Sequence, residues 1–180
     1  MKNDITIVGA GLVGSLCAVY MTKRGHRVTI FERRKDLRSE IITAGKSINL
    51  ALSERGWTAL KKVGIDQQVM KIAIPMYKRI MHDMEGNLSE QPYGNQEQAI
   101  YSVSRAQLNV LMMEMAEKNG ATLHFNEKCV GANLEEAIAT FENTNTATKQ
   151  VISADLLIGA DGSLSAVREQ MVKKYRHEYE

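Results

Sequence analysis

Three glycines near the N-terminus have the spacing to receive a phosphate. Gly9-Ala10-Gly11-Leu12-Val13-Gly14 is G-x-G-x-x-G, set between the apolar run Ile5 to Val8 and a helical pattern from Leu12 to Arg24. In that setting the first glycine permits a tight turn, the second lets a pyrophosphate reach the backbone, and the third lets helix and strand approach closely. The helix N-terminus adds N–H groups and a partial positive charge. Glu32 follows Gly14 by 18 residues and ends the β-branched run from Arg27, a place where a carboxylate accepts hydrogen bonds from ribose hydroxyls. Together these residues predict dinucleotide binding, with NAD and FAD both still open.

A second motif bears on that choice. Asp155-Leu156-Leu157-Ile158-Gly159-Ala160-Asp161-Gly162-Ser163, running on to Ser165 and Arg168, is an apolar strand ending in an acid beside glycine, then a capped helix whose Arg168 points back toward the loop. It resembles the Asp-Gly motif of the class A flavoprotein monooxygenases, the para-hydroxybenzoate hydroxylase group. Joined to the first fingerprint, the resemblance implies FAD, with Asp161 and Gly162 among its contacts. Further segments are similar, in order, to the kynurenine-hydroxylating members of that family. They are Gly45 to Ser53, Ala73-Ile74-Pro75-Met76, Pro92-Tyr93-Gly94, Tyr101-Ser102-Val103-Ser104-Arg105 and Leu123-His124-Phe125-Asn126. The likeness runs over essentially all of residues 1 to 170. One departure is Lys46, where relatives usually carry arginine; an ammonium cannot reproduce a bidentate guanidinium contact.

What the resemblance implies is specific. The fold would be α/β, a Rossmann-like FAD/NAD(P)-binding fold with a parallel sheet, plus an antiparallel β meander and part of a substrate-domain hairpin. Residues 1–180 would be the FAD-binding domain of a larger enzyme, with residues about 75–100 a hairpin reaching toward the substrate pocket. FAD would be the cofactor, NADPH the co-substrate and L-kynurenine the small-molecule substrate, hydroxylated on its ring. Besides Gly9, Gly11, Leu12, Val13 and Gly14, the cofactor contacts by position would be Glu32 and Arg33 at the adenosine end, Arg105 near the phosphates or ribityl chain, and Ala51 and Cys129 in the cleft. Arg79 would pair the carboxylate of the substrate and Tyr93 would donate a hydroxyl to it. No side chain is assigned a catalytic role, because the reactive chemistry belongs to the cofactor. An NAD-dependent dehydrogenase and a nucleotide-binding module without turnover are the rival readings.

The elements that must position these residues are legible in outline. Strand, helix and strand from Ile5 to Glu32 make one βαβ unit, the helix closed by Gly25. Ser53 is expected to cap a helix through Val63, stopped by Gly64. Tyr77 to Met81 and Leu88 to Gln91 form a hairpin around Met84-Glu85-Gly86-Asn87. Ser104 and Gln107 have the capping-box spacing for a helix running to Asn119. Thr122 to Ser153 is expected to be an antiparallel meander, Asp155 to Ile158 a buried strand, and Ser163 or Ser165 the cap of a last helix.

Other classes of function find little support. The 23 basic and 21 acidic residues leave a formal charge of +2, no field for nucleic acid or an anionic membrane. Two cysteines, Cys17 and Cys129, in apolar surroundings fit a reducing, cytoplasmic setting without disulfides. The four histidines sit in separate segments without a second metal ligand at a useful spacing, so no metal is expected. No apolar stretch is long enough to cross a membrane. Gly45-Lys46-Ser47 is not a phosphate loop, because that motif needs a glycine where Glu40 stands. The methionines and Trp57 are assigned to packing.

Overall fold

In the computed structural model, residues 2–39, 48–95 and 98–174 are described. The chain divides into two compact units, Met1–Ile41 with Met112–Glu180, and Ile42–Leu111. The segments containing Lys46, the rejected phosphate-loop residues and the polar tail after Lys174 lie outside the described residues.

The first unit begins with strand β1, Asp4–Val8, helix α1, Leu12–Lys23, and strand β2, Arg27–Phe31. β1 and β2 are parallel, with Ile5 opposite Val28 and Ile7 opposite Ile30, as a βαβ crossover requires. Ile5, Ile7, Val28 and Ile30 are all buried, which explains why both strands read as apolar runs. α1 stops where Gly25 takes φ +87, a conformation that glycine adopts without steric cost.

The second unit follows. Its sheet has the order β3-β7-β4, from β3 (Asn49–Leu52), β4 (Ile74–Met76) and β7 (Ile100–Ser104), with β7 antiparallel to both neighbours. Helix α2, Glu54–Val63, buries Trp57, Leu60 and Val63 at helical spacing and ends on Gly64 in the left-handed region. A short helix α3, Asp66–Met70, comes before β4. Strands β5 (Lys78–His82) and β6 (Leu88–Pro92) form a separate two-stranded hairpin. Its turn is tied by the Asp83 carboxylate, which accepts from the Asn87 backbone at 2.7 Å and the Asn87 side chain at 2.8 Å, with Gly86 at φ +84. Helix α4, Arg105–Lys118, belongs to this unit up to Leu111 and to the first unit from Met112.

The first unit resumes with β8 (Thr122–His124), then β9 (Glu127–Asn133), β10 (Ile138–Asn143), β11 (Lys149–Ser153), β12 (Leu156–Gly159) and helix α5 (Ala166–Lys174). The parallel sheet has the order β12-β1-β2-β8, and the meander the order β11-β10-β9. A stack of Phe31 on Phe141, centroids 4.1 Å apart, ties the two sheets inside a core that includes Val8, Cys129, Ala139 and Val167. Buried Glu127 is satisfied across the meander, accepting from Asn143 at 2.7 Å and Gln150 at 2.9 Å.

Four expectations need correction. Thr122 to His124 does not open the meander: β8 pairs in parallel with β2, Thr29 opposite Thr122, because the crossover through α4 returns it to the main sheet. β12 is not a fully buried strand, Leu156 being 43% exposed, because it lies at an edge of the four-stranded sheet. Ser53 stands at the N-cap of α2 but its hydroxyl makes no capping bond. The strands β3, β4 and β7 were not anticipated; each is short and half-exposed, so its alternation is weak.

Candidate functional site

The nucleotide site is built where β1 gives way to α1. Gly9 donates to the Phe31 carbonyl at 2.7 Å, while the next strand over sends the Ala160 N–H to the Val8 carbonyl at 2.8 Å. Gly9 is thus held between two strands at φ +103, and a Cβ there would lie 2.6 Å from the Ala160 oxygen. A Cβ on Gly14 would lie 1.9 Å from the Gly9 oxygen, so this glycine is required by helix–strand contact. Gly11 differs: a Cβ on it would meet nothing within 4 Å. Among the described residues the space above Gly11 is open, and none of them makes a packing demand for glycine there.

Gly11 caps α1 with extended backbone and no side-chain bond, and the first turn carries no acid. The helical ladder begins with Ser15 N–H donating to the Gly11 carbonyl at 2.9 Å, so the amides of residues 12 to 14 precede it and face the N-terminal end. Ser15, fully buried, donates its hydroxyl to the Ala10 carbonyl at 3.2 Å and braces the turn. Leu12 and Val13 form the first turn, Val13 being 73% exposed. A glycine turn and a helix N-terminus whose first turn carries no acid make an anion cradle.

Glu32 sits directly after β2 and is buried, with its carboxylate turned onto the same turn. It accepts from the Ala10 N–H at 2.8 Å, from the Arg34 N–H at 3.0 Å and from Arg34 Nε at 2.7 Å. Burial pushes this carboxyl up, but the Arg34 hydrogen bonds and charge, with the Ala10 N–H, outweigh it and hold the carboxyl below its ordinary value. The acid therefore locks the glycine turn to the end of β2. Its cationic partner is Arg34, at 2.7 Å; both Arg33 and Arg34 are exposed. The chain bends at Arg33 and Arg34, and the Arg34 N–H bond to the Glu32 carboxylate two residues back brings the two side chains together.

Asp161 and Gly162 lie at the end of β12, the neighbour of β1. The Asp161 carboxylate accepts from Ser165 Oγ at 2.6 Å and from the Ala166 N–H at 2.7 Å, and Ser165 Oγ in turn accepts from the Arg168 N–H at 2.9 Å. Arg168 donates back to the carbonyls of Gly162 and Ser163. Asp161 and Ser165 are thus a double cap on α5, closed by Arg168 around a Gly162 at φ +83. Replacing Asp161 by alanine removes both cap bonds and is expected to lower stability by about 1–2 kcal/mol, read as the urea midpoint with unchanged slope. Cys129 is buried in the adjoining core, where burial pushes its thiol above the ordinary value.

The remaining candidates belong to the second unit. Ala51 lies on β3, exposed, opposite Ser102, and Arg105 is the exposed first residue of α4. Ser104, just ahead of it, accepts from the Gln107 N–H at 3.5 Å, a long cap bond. Arg79 and Tyr93 come together on the hairpin: Arg79 is opposite Gln91, and the Tyr93 N–H donates to the Tyr77 carbonyl at 2.9 Å. Gln91, which the sequence placed on the hairpin without a site role, accepts from Arg79 Nε at 2.7 Å.

Comparison with known proteins gives a consistent picture. The family model described as FAD binding domain matches residues 2–179. A kynurenine 3-monooxygenase of Christiangramia forsetii is 44% identical over 179 residues, covering 99% of this chain and 40% of the relative. Those of Anopheles gambiae, at 44% identity, and Sus scrofa, at 39%, are covered to 37% and 38% of their lengths, with 98% and 99% of this chain aligned. The chain thus spans about two fifths of the curated relatives it matches. Among solved structures, the flavin-dependent monooxygenase PieE, in complex with FAD and substrate, superposes with a TM-score of 0.79 at 21% identity, over 95% of this chain and 32% of that one. A 2-methyl-3-hydroxypyridine-5-carboxylic acid oxygenase does so at 0.76 and 22%, over 95% and 42%. At that identity the likeness is one of fold.

Proposed function

Since this chain belongs to the FAD binding domain family, we propose that it is the cofactor-holding part of an NADPH-dependent flavoprotein monooxygenase that converts L-kynurenine to 3-hydroxykynurenine. The observation that carries the cofactor half is the open space at Gly11, beside two glycines that packing does require. A pyrophosphate fits there: it needs close backbone approach, amide donors and no acid in the first turn, and all three are present. The substrate half is supported by the identity to kynurenine 3-monooxygenases along nearly the whole chain.

In this reading Gly9, Gly11, Leu12, Val13 and Gly14 hold the pyrophosphate by backbone, and Glu32 keeps their turn in place. Arg33 and Arg34 offer cations at the adenosine end. Ala51, Arg105, Cys129, Asp161 and Gly162 are proposed as further cofactor-side positions, Asp161 acting by shaping its loop through the α5 cap. When bound, FAD would take a hydride from NADPH and activate O2, one oxygen atom entering the ring and the other leaving as water. Arg79 binds the amino-acid carboxylate and Tyr93 donates to it, which orients the ring. Two free thiols fit a cytoplasmic setting, and among the described residues no helix is long and apolar enough to cross a membrane.

The test is direct. The full-length protein should purify yellow and oxidise NADPH in the presence of L-kynurenine, with 3-hydroxykynurenine formed in step. A colourless protein that binds NAD would return the fold to a dehydrogenase. Flavin with no hydroxylated product would remove kynurenine as the substrate.

A further inference from the structure

The hairpin of β5 and β6 carries a side-chain arrangement that goes beyond the assignment of Arg79. Directly opposed residues of an antiparallel pair share a face, and faces alternate along each strand. With Lys78 opposite Pro92 and Arg79 opposite Gln91, one face presents Tyr77, Arg79 and Met81 beside Tyr93, Gln91 and Ser89. The reverse face holds Lys78, Ile80 and His82 with Glu90 and Leu88, and there Lys78 Nζ pairs with Glu90 Oε1 at 2.6 Å. The acid of the hairpin strands is therefore spent on the face away from Arg79.

On its own face Arg79 has one neutral partner. Its Nε donates to Gln91 Oε1 at 2.7 Å, and among the described residues its two terminal nitrogens have no hydrogen-bond or ion-pair partner. A guanidinium can meet a carboxylate side-on, through Nε and one terminal nitrogen, or end-on, through both terminal nitrogens. With Nε occupied only the end-on fork remains. Because the occupant is an amide, the positive charge of Arg79 is not cancelled, as a glutamate at that place would cancel it.

We propose that Gln91 is a positioning residue that takes the Nε of Arg79 and so presents its terminal nitrogens as a fork for the carboxylate of an amino-acid substrate. This rests on the reading of Arg79 as carboxylate anchor. The full-length enzyme with Gln91→Met, which removes the acceptor at nearly the same size, should show KM for L-kynurenine raised by about three- to tenfold. Its kcat, KM for NADPH and flavin content should be unchanged. Gln91→Glu restores an acceptor but adds a competing anion, and KM should rise more than tenfold, about the loss expected when a charge-assisted pair is neutralised. The corresponding amine lacking the carboxylate should be turned over equally by parent and both variants.

An unchanged KM in Gln91→Met beside a raised KM in Arg79→Ala would overturn the role of Gln91 and leave the anchor standing. Unchanged KM in both would remove the anchor and the inference with it. Equal losses with the carboxylate-free amine would reduce Gln91 to a structural residue of the hairpin and overturn the proposal.

Discussion

Gly11→Val is expected to abolish FAD retention while lowering stability by no more than about 1 kcal/mol, the cost of a β-branched residue at a helix N-cap. A Cβ at this position would meet nothing within 4 Å among the described residues beyond its chain neighbours, so little has to be displaced. The same space is where a pyrophosphate would reach the α1 amides, and a branched side chain blocks it. Gly14→Ala should do the reverse in order of cause. Its single methyl would sit 1.9 Å from the Gly9 carbonyl, a backbone atom fixed between two strands, and the expected cost is about 3 kcal/mol or more. Flavin absorbance after gel filtration, read beside the urea midpoint, separates the two. A Gly11→Val protein that keeps its flavin would move the phosphate site elsewhere, and a Gly14→Ala protein of parental stability would show that α1 can shift away from β1.

Arg79→Ala in the full-length enzyme should raise the KM for L-kynurenine at least tenfold, which corresponds to about 1.4 kcal/mol of lost binding. Arg79 is the one cation on its face of the hairpin strands, and among the described residues its terminal nitrogens are uncommitted. Flavin content should stay at the parental level, since the hairpin is a separate two-stranded sheet that carries none of the proposed cofactor positions. The measurement is kynurenine-stimulated NADPH oxidation against substrate concentration. Parental KM with normal flavin would assign Arg79 to the surface and withdraw the substrate half of the reading.

The glycine turn, the run of β1, α1 and β2, the hairpin turn and the α5 cap could all be read from the sequence. Each depends on residues close in the chain, and Gly25 at φ +87 or Asp83 bonding Asn87 need only local geometry. The helix at Arg105 was legible for the same reason, although its Ser104 bond is long at 3.5 Å. Resemblance supplied the candidates that no local rule would select, Arg79 and Tyr93 above all, since an arginine on a short strand is ordinarily a surface residue.

Tertiary structure decided what distant segments do to one another. Three residues, Thr122 to His124, carry no sign of whether they pair with the meander or with β2, because a strand's partner is set by the crossover that delivers it. Gln91 on Arg79 follows from the register of the hairpin, which sets the two residues opposite each other. The three glycines show the division most clearly. Their spacing alone marked a phosphate site, but the spacing treats them alike. Only the approach of β12 to Gly9 and of the Gly9 carbonyl to Gly14 separates the two that packing demands from the one whose space is left open, because steric demand is set by neighbours that lie far off in the sequence or one helical turn away in space.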